Sequence, residues 1–330
     1  MSSKRSCWLL LLPVLLLVIT TGCGEHSADE RYYLVTVNTQ IPYWQSAAAG
    51  FLKSATEIKV RAEIAGPDTY DAKAQQDEFR RILAKNPKPS GILISLADPQ
   101  FMKADIDNAI AAGIPVLTID SDSPASKRLF FIGTNNYQAG ILGGEIAAKQ
   151  LQGKGTVIVF TMPNQTNLED RLRGYRQVFE KYPQIKIARV VDIKGDPRVA
   201  FDETQKVIDS KEKIDGFLCL EALAGKEVAT VINNSKTAGK TIIAMDTDEA
   251  TLDWVKKGVI AATIAQRPYT MGYFGLKMLD DLHHAYPTLP SVSGSTTSPL
   301  PAFVDTGAIL IDKTNVDSVI QAQAANKPGK

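Results

Sequence analysis

Three cysteines and three histidines in 330 residues leave this chain poor in groups that do covalent and metal chemistry. Cys7 and Cys23 fall just before and just after an N-terminal apolar stretch, so Cys219 has no partner and no disulfide framework is expected. Cys219 sits in the apolar run 216–220 and reads as a small buried core residue rather than a nucleophile. His26 precedes the first periodic segment, and His283 and His284 fall late in a helix, so no Ser-His-Asp arrangement suggests itself. No Cys/His metal spacing occurs, and Gly239-Lys240-Thr241 lacks the upstream glycine of a P-loop, with Asn234 in its place. Neither an enzyme nor a resident metal or cofactor is expected. Charge excess is missing as well. Thirty-seven basic residues against 36 acidic give +1, or −1 once the leader removes Lys4 and Arg5, which excludes nucleic-acid backbones and anionic membrane surfaces as partners. Long hydrophobic runs are absent too: the stretch 8–19 is about twelve residues, short of the roughly 20 a helix needs to cross a bilayer.

What the N-terminus does have is a basic start, a short apolar run and small residues, the three regions of a secretory signal in order. It ends in Ile19-Thr20-Thr21-Gly22-Cys23, which resembles a bacterial lipoprotein lipobox with Thr20 where that motif usually carries Leu. The resemblance implies cleavage before Cys23, lipidation of Cys23 and a membrane anchor there; plain secretory cleavage is the other reading. Either places the protein outside the cytoplasm, in the periplasm or cell envelope.

After residue 30 short β-branched runs alternate with helical periodicity. Strands are expected at 32–37, 60–64, 91–95, 115–119 and 130–133, with helices at 43–56, 72–85 and 100–112. The rhythm restarts after Asn136, with strands at 156–161, 186–191, 216–220, 241–245 and 260–265 and helices between them. A strand–helix spacing of this kind calls for right-handed crossovers and parallel sheets. The fold class is therefore α/β, as two doubly wound lobes in tandem. The Ser/Thr/Pro-rich stretch 286–301 reads as a loop, 308–311 as one more strand, and the polar C-terminus as frayed. Gly140–Gly144 reads as glycines packing a helix on a sheet rather than as a phosphate loop.

In open α/β sheets ligands bind beyond the carboxyl ends of the strands. Asn38, Asp120, Asn135, Asn136, Glu221, Asp246 and Gln266 each follow an apolar run directly. One such residue could simply cap a helix; this many at one edge points to a polar binding site.

Pro42-Tyr43-Trp44, Thr118-Ile119-Asp120, Gly133-Thr134-Asn135-Asn136, Arg171-Leu172-Arg173-Gly174-Tyr175, Ala244-Met245-Asp246 and the run 261–266 ending in Gln266 occur in that order. Together they resemble the periplasmic sugar-binding proteins of ABC importers, the ribose- and galactose-binding type, over about residues 32–311. That resemblance implies two Rossmann-like lobes joined by three crossings, with a sugar or polyol clamped between them. It divides the chain into a leader at 1–22, a tether at 23–30, a first lobe at 31–134 plus 267–302, a second lobe at 135–266 plus 303–315, and a flexible tail at 316–330. Tyr43 and Trp44 match an aromatic pair that covers the apolar face of a sugar ring. Asp120 and Asp246 match hydroxyl-accepting carboxylates, Arg171 a bidentate donor, and Asn136 and Gln266 amides. Ser121 stands where ribose binders carry an arginine, Gly195 where a second aromatic is frequent, and Glu221 where an amide is common, favouring a donor-rich ligand.

The implied role is capture of a solute for an ABC permease by a monomer that uses no cofactor. The alternative is a sensor that docks on a membrane receptor or kinase, using the same clamp. A transcriptional repressor shares this core, but a signal peptide stands where its DNA-binding headpiece would be.

Overall fold

The computed structural model describes residues 26–285 and 300–325, except residue 28. The leader, Cys23 with its expected lipid, and most of the expected loop 286–301 lie outside the described residues. The first lobe alternates β1 (Arg31–Val35), α1 (Pro42–Ile58), β2 (Arg61–Ala65), α2 (Ala72–Leu83), β3 (Gly91–Ile94), α3 (Pro99–Ala111), β4 (Val116–Ile119) and β5 (Phe131–Gly133). The second runs α4 (Asn136–Gln150), β6 (Lys154–Thr161), α5 (Thr166–Phe179), β7 (Gln184–Asp192), α6 (Pro197–Ser210), β8 (Gly216–Cys219), α7 (Ala224–Asn234), β9 (Thr241–Met245), α8 (Glu249–Lys257) and β10 (Ala262–Ala265). The chain then returns with α9 (Pro268–His284), β11 (Phe303–Asp305), β12 (Ile309–Asp312) and α10 (Val316–Ala325).

Local chemistry explains the helix starts. Asp71, Asp98, Asn135, Asp196 and Asp248 each accept a backbone N–H from the first turn of the helix they precede. Pro42, Pro99, Pro197 and Pro268 occupy first-turn positions where no amide hydrogen is needed. Strands β3, β4, β8, β9 and β10 are buried along their whole length because helices cover both faces of each sheet.

The two sheets repeat one plan. Their orders are β2-β1-β3-β4-β5-β11 and β7-β6-β8-β9-β10-β12, parallel throughout except that β12 runs antiparallel to β10. Cys219 is fully buried in the core of the second lobe, as its sequence environment led one to expect.

Several expectations need correction. Residues 303–305 pair with β5 of the first sheet, so the third crossing falls at 306–308 rather than before 303. The expected tail at 316–330 begins as α10, whose Val316, Val319 and Ile320 pack on the second-lobe core and whose Gln323 amide donates to Thr247. The described part of the tether is likewise docked: His26 and Glu30 meet Asp280 and His284 of α9. Finally, the glycines of α4 face another helix more than the sheet. A Cβ on Gly140 would lie 2.1 Å from the Arg171 carbonyl, and one on Gly174 would lie 2.4 Å from that of Tyr137. The bare backbones let α4 and α5 touch, which fixes the helix carrying Arg171.

Candidate functional site

A narrow cavity of about 70 Å³ lies between the lobes, the kind of place where small-molecule sites form. The first lobe lines it with Val37, Asn38, Ile41, Tyr43, Trp44, Tyr70 and Asp120. The second contributes Met162, Gln165, Asn167, Leu168, Arg171, Gly195, Glu221, Ala222, Leu223, Asp246 and Gln266. Most of the polar members follow a strand end, where the doubly wound topology delivers them to the crevice.

Asp120 and Asp246 occupy equivalent places, after β4 and β9. Both adopt left-handed backbone, at φ 63° and 66°, and each donates its amide to the neighbouring strand, Asp120 to Ile132 and Asp246 to Ile264. Left-handed backbone in a non-glycine residue costs about 1–2 kcal/mol and is tolerated best by Asp and Asn. The internal repeat thus places one strained carboxylate on each wall.

Arg171, on α5, is almost fully buried. Its Nε donates to Asn136 Oδ1 at 2.8 Å, one terminal nitrogen to the Leu220 carbonyl at 2.7 Å, and the other to Gln266 Oε1 at 2.8 Å. A guanidinium has five N–H bonds, so one remains on each terminal nitrogen. Gln266 also accepts from the Thr134 hydroxyl and donates to Asp246 at 3.1 Å. Tyr43 donates to Asp120 Oδ1 at 2.7 Å and stands edge-on to Trp44 at 5.1 Å between ring centres.

Three carboxylates face one guanidinium in this buried space. Burial pushes Glu221 up to about 7 and Asp246 up to about 6, with Arg171 opposing the rise in each. Burial also raises Asp120 against the pull of Arg171, and drives the Tyr43 phenol well above its ordinary range together with the Asp120 charge.

Two expected contact residues stand off the cavity. Ser121 is buried, does not line it, and its hydroxyl has no partner. Asn136 spends its amide on the Thr134 carbonyl and its oxygen on Arg171, so it orients the guanidinium instead. Asn135 caps α4. Glu221 lines the cavity, yet both its oxygens accept amides at the start of α7, Leu223 at 2.6 Å and Ala224 at 2.9 Å. Asn38 lines it too, with its side-chain oxygen holding the Gln40 amide.

Sequence reasoning missed Tyr70, Gln165 and Asn167. Gly195 lacks an aromatic ring of its own, but Tyr70 of the opposite lobe fills that space; a Cβ on Gly195 would lie 2.6 Å from the Tyr70 Cβ. Gln165 donates to the Tyr70 hydroxyl at 2.8 Å, and Asn167 donates to Asp120 Oδ2 at 3.2 Å. Between them, the Thr166 hydroxyl accepts the Asp122 amide and donates to its carbonyl, at 3.2 and 3.1 Å. Three consecutive residues at the start of α5 therefore latch the second lobe onto the first.

The three crossings lie side by side behind this cavity. Thr306 donates its amide and hydroxyl to the Gly133 carbonyl at 2.8 and 3.0 Å, the Asn135 amide donates to Asp305 at 3.1 Å, and Thr134 reaches Gln266 at 2.9 Å.

A periplasmic binding protein domain model matches residues 32–284. Among curated proteins, the D-allose-binding periplasmic protein of Escherichia coli is 24% identical over 274 residues, 80% of this chain and 88% of that one. The solved structure of AraP, an arabinose-binding protein from Geobacillus stearothermophilus, is 36% identical with TM-score 0.73, covering 88% of this chain and 99% of that one. A solute-binding protein of Burkholderia graminis, solved with D-arabinose, is 26% identical with TM-score 0.80, covering 89% and 99%.

Proposed function

This chain belongs to the periplasmic binding protein family, and we propose that it captures a monosaccharide between its lobes and hands it to an ABC importer. The carrying observation is the meeting of an aromatic pair, a two-donor guanidinium and two opposed carboxylates in one interlobe cavity. Hydroxyls both donate and accept, so a ring of them satisfies Asp120 and Asp246 as acceptors and the spare Arg171 N–H bonds as donors at once. Trp44 and Tyr43 cover the apolar C–H face of the same ring. An aldopentose of arabinose type is the reading favoured by the 36%-identical relative. The preference for a donor-rich ligand suggested by Glu221 weakens, because that carboxylate is committed to α7 and burial raises its pKa to about 7, favouring the uncharged form.

Ligand closes the lobes by binding the closed form more tightly than the open one. The latch at Gln165, Thr166 and Asn167 and the sugar then hold the same two surfaces together, and only the closed form presents both lobes to a permease. The test is calorimetry of the exported chain, unfolded and refolded to strip bound solute, against pentoses, hexoses, polyols and amino sugars. Micromolar binding of one monosaccharide, weakened at least tenfold by Asp120→Asn, supports the reading. Binding of none, or binding indifferent to Asp120→Asn, refutes it.

A further inference from the structure

On the outer side of the first lobe, four metal-ligating side chains from two distant segments converge. His26 and Glu30 come from the segment before β1, Asp280 and His284 from the last turn and a half of α9, and one ligand atom from each lies within 4.8 Å of all the others. His26 Nε2 is 3.0 Å from an Asp280 oxygen, and His284 Nε2 is 3.2 Å from Glu30 Oε1. Ligands about 2.0 Å from a tetrahedral zinc ion sit about 3.3 Å apart, so these two pairs are already at coordination spacing.

The surroundings orient the donors. His284 Nδ1 lies 3.0 Å from the Asp280 carbonyl, which places the ring hydrogen there and turns the Nε2 lone pair toward Glu30. The Tyr32 hydroxyl donates to Asp280 at 2.9 Å, and the Ser27 amide donates to Glu30 Oε1 at 2.6 Å. Such outer hydrogen bonds are what fix ligands around a bound metal. Glu30 is only 7% exposed, and its second oxygen has no partner at all.

His26 Nε2 faces the Asp280 carboxylate and His284 Nε2 faces that of Glu30. The rings of His26 and His284 lie 5.0 Å apart, centre to centre, with His283 a further 5.0 Å from His284. One divalent ion among them would neutralise both carboxylates and take one nitrogen from each imidazole.

We propose that His26, Glu30, Asp280 and His284 form a site for a divalent cation of zinc type, which clasps the segment entering the first lobe onto α9. Two nitrogens and two oxygens suit zinc, and exclude the all-oxygen preference of calcium or magnesium.

The experiment uses the full chain, untagged, expressed with its own leader, purified in mild detergent and stripped with a chelator. Titration with Co²⁺ alone is followed by visible absorption, where tetrahedral coordination gives intense bands that aqueous cobalt lacks, and Zn²⁺ is then used to displace it. One ion per chain at micromolar affinity or better, at least tenfold weaker in His26→Ala and in His284→Ala and intact in His283→Ala, is the expected result. Zinc should also slow hydrogen exchange of residues 26–30, while sugar affinity of His26→Ala stays at the parent value. Binding weaker than about 100 µM, binding unmoved by both His26→Ala and His284→Ala, or binding removed by His283→Ala overturns the proposal.

Discussion

Glu221 allows the electrostatics of the cavity to be tested without any ligand. Its carboxyl is raised from 4.5 to about 7, first by burial, while the α7 amides and Arg171 pull the other way. The folded protein therefore holds a proton that the unfolded chain releases between about pH 4.5 and pH 7. Stability from this group is complete below pH 4.5 and is lost as pH rises through 7. At about 1.4 kcal/mol per unit, the change between pH 8 and pH 5 amounts to about 2–3 kcal/mol in favour of the acid side. The assay is urea unfolding of sugar-free protein at pH 5, 6, 7 and 8, with Trp254 fluorescence reporting the second lobe. Glu221→Gln removes the titrating group but also disturbs an α7 amide, so its stability is offset at every pH. The slope is the readout: the variant should lose about 2–3 kcal/mol of the pH 8 to pH 5 gain. Parallel curves for parent and variant over that range would refute the buried-carboxylate reasoning.

Arg171→Ala should raise the sugar Kd at least tenfold in calorimetry. It should also cost at least about 2 kcal/mol in chemical denaturation, because the Asn136 oxygen and the Leu220 carbonyl lose their Arg171 donor at about 1–3 kcal/mol each, while Gln266 keeps Thr134. Tyr43→Phe removes the bond to Asp120 and should weaken sugar binding several-fold while the melting temperature moves by only a few degrees. Gly195→Ala forces a Cβ against Tyr70 and a left-handed φ of 72° on alanine, so the liganded protein should scatter as a more open particle with about tenfold weaker binding. Identical scattering and affinity in that variant would show that the lobes do not meet there.

The repeating βα rhythm made the two sheets legible, and the rule that strand ends face the crevice found Asn38, Asp120, Glu221, Asp246 and Gln266. It could not tell wall from support: Asn136 follows a strand like the others, and only its contact with Arg171 shows that it works from behind. Tyr70, Gln165 and Asn167 were invisible because they sit in loops or at a helix start, where no periodicity marks a side chain. The third crossing was misplaced because β11 and β12 are three and four residues long, too short for either to show which sheet it joins. Residues 321–325 look polar and terminal, and the anchoring of α10 rests on Val316, Val319 and Ile320 just before them. The histidine cluster escaped for a related reason: His26 and Asp280 are 254 residues apart, so no ligand spacing exists to be read.

The lateral bonding of the three crossings has a mechanical consequence. Thr134 is tied to Gln266 on one side, and its neighbours Gly133 and Asn135 to Thr306 and Asp305 on the other. Three straps joined edge to edge behave as a strip, which folds readily along one line and resists both shear and twist. The lobes are thereby left a single coordinate, an angle, in which to move. On the proposed import role, a membrane partner would have no need to inspect the ligand; it would read one angle, and chemically different solutes that set the same angle would be, to that partner, the same message.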